Sequence, residues 1–309
     1  MTERRAQLGV VCAALLFGST FVVMRDAVRE AAPTAFLCAR FGIGAVALLL
    51  VARRRGPMPK GALGPSALTA SALLIGYVLQ TVGLQYTKTS TSAFITYLLV
   101  VLVPVFAAVQ HRRLPSPVIA VAVAITSGGL WLLTGGVDAI GKGELLTLGC
   151  AAAYAVHILL IERFTTRIDA FWFIGIQLAV VSVGCFVPGL VQGGYAFGWH
   201  AWWAAFYTGI GASAVALTLQ ARGQAVLPPT RTALLLMLEP VSAAVIGYAV
   251  GERLGAHGIL GAILILIGVL IAETVHHPQK VNEYKAEWPF NEPHTEEPRE
   301  PSRSRRRYC

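Results

Sequence analysis

The chain of 309 residues is 55% hydrophobic and 13% charged, and its mean hydropathy of +0.63 excludes an ordinary water-soluble domain. A formal charge of +9 does not read as a nucleic-acid surface, because the basic residues fall between and after apolar runs and not on one soluble face. The five cysteines, Cys12, Cys38, Cys150, Cys185 and Cys309, include no CxxC pair and support neither a disulfide framework nor a metal site.

In chain order, ten apolar runs approach the roughly 20 residues needed to cross hydrocarbon. They cover about 7–25, 31–52, 64–86, 90–110, 117–134, 144–163, 171–191, 201–221, 231–250 and 256–273. Each must be a helix, because lipid leaves no water to satisfy exposed backbone groups. The start, MTERRAQLGVV, has the basic end and apolar core of a signal peptide, but no A-x-A site closes it and the segment recurs later. Between the fifth and sixth runs, GVDAIGKG (136–143) nearly matches a phosphate-binding loop. Gly143 stands where the metal-binding hydroxyl belongs and no strand precedes it, so neither nucleotide nor any other cofactor is expected. After the last run, residues 276–309 are rich in Pro, Glu and Arg and read as a disordered cytoplasmic tail, whose RSRRR either touches anionic lipid or helps fix topology.

Orientation follows from the Lys and Arg count. With the N-terminus inside, nineteen fall in inside segments and five outside, with Arg40 left within a span, so both termini are expected in the cytoplasm of a multi-pass protein of the cell membrane.

The chain repeats itself. LGVVCAALLFGSTFVVMR (8–25) lies over LLTLGCAAAYAVHILLIE (145–162), an offset of 137 that sets Phe17 on Tyr154 and Thr20 on His157. Further on, an offset of 140 sets Gln80 on Gln220, Gly83 on Gly223 and Ala93 on Ala233. Five spans per copy is an odd number, so the second copy enters the membrane from the opposite side. Such inverted repeats are the architecture of many secondary transporters, with the substrate held near the midplane between copies.

With FGSTFVVMR, PTAFLCARF, LQYTKTSTSAFITYLLVVLVP and the block YTGIGASAVALTLQARGQAVLPPTRTALLLMLEPVSAAVIGYAVGERL, the chain resembles the drug/metabolite transporter (DMT) superfamily, EamA type, over about residues 5 to 273. The resemblance implies an all-α integral membrane protein of ten transmembrane helices in two inverted five-helix EamA repeats, 5–135 and 143–273, exporting small metabolites, amino acids or drugs. It names no substrate. The first half ends HRRLP where the second ends GERLG, so Arg112 replaces an acid common at that helix end.

Charges at membrane depth are costly, about 2.5–3.5 kcal/mol each, and usually face a cavity or a partner. Arg40 reads either as an anion-binding or gating contact or as a fixed interhelical bond. His157 is either a proton carrier or a satisfied packing histidine. Phe17 and Tyr154 sit one turn before Thr20 and His157, where they either stack a substrate or pack. Gln80, Ser92, Thr96, Tyr97, Ser213, Thr218 and Gln220 complete the polar set, many of them candidates for interhelical hydrogen bonds. Glu239 stands in LLLMLEPV with an aliphatic opposite it in the first copy: Leu99 in the gapless register, or Val103 in a rival one that lays Pro240 on Pro104. Pro240 and Pro104 mark a shared helix kink; Glu239 is the candidate for coupling or substrate contact. The chain is therefore expected to be a secondary transporter working by alternating access, its partners a small-molecule substrate, membrane lipid and a coupling proton. A passive channel and, further off, a membrane enzyme are the alternatives.

Overall fold

The computed structural model describes residues 1–87, 89–112, 114–135, 140–249 and 255–274. The tail from 276 on, Arg113, Glu252 and the first four residues of GVDAIGKG lie outside them.

Among the described residues ten helices follow in chain order: α1 (Glu3–Glu30), α2 (Pro33–Arg55), α3 (Leu63–Gly83), α4 (Thr89–Tyr97 and Leu99–His111), α5 (Pro117–Thr134), α6 (Lys142–Phe164), α7 (Ala170–Val191), α8 (Trp199–Gln224), α9 (Pro229–Ala249) and α10 (Ala256–Thr274). Eight of these segments, α2 to α9, are long and apolar enough on their own to span a bilayer, and α1 and the shorter apolar α10 complete the set. Helix starts follow local chemistry. Pro33, Pro117 and Pro229 open α2, α5 and α9, where a missing N–H costs nothing. Asp169 caps α7 through the Phe171 amide at 3.1 Å.

The packing pairs the copies. α2 lies along α7 and α5 along α10; α3 packs on α6 as α8 packs on α1, and α6 packs on α4 as α1 packs on α9. Exchanging the first five helices for the last five leaves this scheme unchanged, which is what an inverted repeat about a pseudo-two-fold axis requires. The close approaches repeat as well. A Cβ on Gly83 would meet Gly143 O at 3.1 Å, and one on Gly223 would meet Ala6 O at 3.2 Å. Gly83 and Gly223 are repeat partners at the offset of 140, and Ala6 and Gly143 at 137. Since lipid tails give no hydrophobic drive for helix association, backbone proximity at small residues carries such crossings.

Three irregularities break the regular helices. α4 is interrupted at Leu98 and α9 at Met237. α8 carries a π-helical stretch over Thr208–Ala216. The two breaks fall within one residue of equivalence in the gapless register. Pro240 lies three residues past its break, where its ring disturbs the Leu236 carbonyl. Pro104 lies inside the Leu99–His111 segment, where it frees the Val100 carbonyl, and the interruption at Leu98 precedes it as the one at Met237 precedes Pro240.

A candidate substrate site between the repeats

Arg40 sits in the middle of α2, 5% exposed. Its Nε donates to Ser213 Oγ at 2.9 Å and its Nη1 to the Met24 sulfur at 3.3 Å. Ser213 is delivered by the π stretch of α8. That stretch lies against α2 through two glycines: a Cβ on Gly209 would meet Arg40 O at 2.6 Å, and one on Gly44 would meet Gly209 O at 2.7 Å. Around the guanidinium, and in electrostatic reach of it, stand Tyr77 of α3, Tyr154 of α6 and Glu239 of α9. Among the described residues no carboxylate lies within the 4.0 Å of an ion pair with Arg40.

Glu239 is half-buried in the first turn after the α9 break, where a carboxylate complements the positive end of a half-helix. The Tyr97 side chain, at the last residue before the α4 break, lies in electrostatic reach of it. The two interrupted helices, which also pack on each other, thus face one another near their breaks. Gly18 lets α1 lie on the same turn, since a Cβ there would meet Glu239 O at 2.7 Å.

A second polar group adjoins the first. Gln80 Nε2 donates to Thr96 Oγ1 at 3.2 Å, and the Tyr154 hydroxyl donates to Gln80 Oε1 at 3.4 Å. The Tyr154 ring fills the notch left by Gly76 and meets Tyr77 edge-on at 5.6 Å, while Tyr77 meets Phe41 at 5.0 Å. Phe17 and Tyr154 each touch both large apolar clusters of the bundle, one built on α4, α9 and α10 and the other on α2, α7 and α8. The two aromatics thus mark the seam between the clusters.

Other candidates lie elsewhere. His157 Nε2 pairs with Gln177 Oε1 at 2.9 Å, and Gln177 Nε2 donates to Phe173 O at 3.2 Å, an arrangement that satisfies a buried packing histidine. Thr20 donates to Phe17 O of its own helix at 2.7 Å. Gln220 donates to Gln224 at 3.1 Å, and Gln224 in turn to Ile158 O at 2.8 Å. The repeat partners of Thr96 and Tyr154 are Leu236 and Phe17, which have no hydroxyl, so Gln220 has no counterpart of the Gln80 network to join. Ser92 lies 3.5 Å from the Thr147 hydroxyl, and Thr218 is buried with its hydroxyl unpartnered among the described residues. Among the described residues no three His, Cys, Asp or Glu are grouped as metal ligands.

Two contributors escape a reading of the sequence. Tyr77 looks like a packing aromatic, although its spacing of three from Gln80 puts both on one face. Met24 looks purely apolar.

Comparison with known proteins agrees with this architecture. The model of the EamA-like transporter family matches residues 4–135 and again 141–274. An uncharacterized transporter of Archaeoglobus fulgidus is 28% identical over 272 residues, which cover 86% of this chain and 85% of that one. The uncharacterized transporter YwfM of Bacillus subtilis is 27% identical over 290 residues, 89% and 96% of the two chains. One crystal structure superposes with a TM-score of 0.78 at 18% identity, covering 88% of this chain and 98% of its own, a likeness of fold.

Proposed function

Because the chain belongs to the EamA-like transporter family, we propose that it is a secondary transporter that exports a small organic solute by alternating access. The observation that carries this reading is the interchangeable packing of the two copies around interrupted α4 and α9. Two copies that face opposite ways can trade conformations, and trading them moves one central site from one side of the membrane to the other. Residues 5–135 and 143–273 are the trading units. Tyr97 and Glu239 stand beside the breaks of the two interrupted helices, so their spacing changes when those helices move. Glu239 is the group that takes up a coupling proton, exposed in turn to either side.

The membrane is the cytoplasmic one, with both termini inside. Basic residues gather at the end of the bundle that holds the N-terminus, which supports this orientation. Arg55 and Arg222 flank the Phe171 ring at 4.8 and 4.7 Å, and Arg231 pairs with Glu3 at 2.5 Å.

The test has two stages. Metabolites in the medium are compared with and without overexpression, and the solutes that change are then followed by counterflow in proteoliposomes. Labelled solute accumulating against unlabelled solute is the expected result; flux that only runs downhill, with no counterflow, describes a pore and overturns the reading.

A further inference from the structure

Arg40 is a buried cation left without a counter-ion among the described residues. A guanidinium carries five N–H bonds in a planar fork. Ser213 takes one and the Met24 sulfur, a weak acceptor, takes another. The remaining bonds, those of Nη2 among them, have no acceptor among the described residues, although the side chain is only 5% exposed. Leaving a buried charge half-bonded is expensive, and a protein that only needed to fold would place a carboxylate beside it or an apolar residue in its stead. The second copy carries no charge there, with neutral Gln177 at the equivalent position.

We propose that Arg40 is the seat for a carboxylate of the transported solute, taken end-on by the free edge of the fork. The charges present decide the valence. Among the described residues Arg40 is the one cation in this group. A monoanion compensates its single charge; a dianion such as a phosphate monoester leaves one negative charge uncompensated in the same low-dielectric space. The guanidinium lies over the Phe41 ring at 5.3 Å, and the rings of Phe41, Tyr77 and Tyr154, edge-on to one another, suit an apolar or planar body behind the carboxylate. Ser213 and Met24 hold the fork in one plane, as positioning residues. The word "solute" rests on the transporter reading; the seat itself does not.

Thermal stability of the purified full chain in detergent tests the seat without any flux. The probes are acetate, benzoate and 3-phenylpropionate, each against its neutral amide at equal ionic strength. Stabilisation by at least one carboxylate and not by its amide is expected, weakened at least tenfold in apparent affinity in Arg40→Gln and partly kept in Arg40→Lys. Equal response to acid and amide, no response to any of the three acids, or an unchanged response in Arg40→Gln overturns the proposal. If Arg40→Gln does not fold, Ser213→Ala replaces it, with a several-fold loss expected. Arg40 serving only as a gate partner for Glu239 predicts instead that Arg40→Gln with Glu239→Gln restores counterflow lost in Arg40→Gln; that restoration also overturns the seat. Carboxylate binding without counterflow leaves the seat standing and removes the transporter reading, and counterflow of a neutral solute does the reverse.

Discussion

In the second copy, His157 and Gln177 close on one another between α6 and α7 at 2.9 Å. In the first, the equivalent Thr20 turns back to its own helix at 2.7 Å, and the equivalent Arg40 reaches away to α8 and α1. One pair is neutral and complete; the other position is charged and incomplete. The same contrast recurs at the breaks, where Glu239 of α9 stands near Tyr97 while the equivalents of those two, Leu99 and Met237, are apolar. A repeat fixes where helices cross, and departures from it show where chemistry was added. The polar groups here come from both copies, but no repeat-related pair contributes twice.

Breaking the common frame has the largest effect. Gly44→Val places a Cβ against the Gly209 carbonyl, which cannot rotate away, so α2 and the π stretch must separate. The expected cost is about 3 kcal/mol or more, read as loss of monodisperse protein after a heat step. Next comes making the first copy like the second. Arg40→Gln is expected to lower solute counterflow at least tenfold, about 1.4 kcal/mol or more. Glu239→Gln tests the other added charge; it is expected to flatten the pH dependence of counterflow, and an unchanged rate and pH profile counts against the coupling role. Undoing the closed pair costs less. Gln177→Leu leaves His157 without its partner, with an expected loss of about 1–2 kcal/mol in stability and counterflow within twofold of the parent. The smallest effect belongs to Tyr154→Phe, which removes a long 3.4 Å bond to Gln80, about 0.5 kcal/mol, measured as a shift in melting temperature.

Much of the frame was legible. Hydropathy marks the ten spans because lipid forces every spanning segment into a helix, and the registers of 137 and 140 set Gly83 and Gly223 on equivalent crossings, where the structure has them. Arg40 and Glu239 stand out as charges in apolar runs. Their pairing does not. A sequence cannot tell that His157 is satisfied while Arg40 is not, because that depends on which residues of distant helices arrive beside them. The interruption of α4 at Leu98 is not legible, because proline is the visible helix breaker and Leu98 carries no such mark. The π stretch was invisible for a similar reason: TGIGASAVA is small and apolar throughout, and no polar pattern betrays its turn length.

That stretch accounts for a discrepancy between the copies. Leu63–Gly83 of α3 has 21 residues and Trp199–Gln224 of α8 has 26, and the offset drifts from 137 to 140 across this pair. Extra residues inserted into a helix would ordinarily rotate everything beyond them off its contacts. Each i→i+5 turn absorbs roughly one added residue without that rotation. The bulge therefore looks like the scar of an insertion after duplication, one that left Gly223 on Ala6 while carrying a new hydroxyl, Ser213, to Arg40.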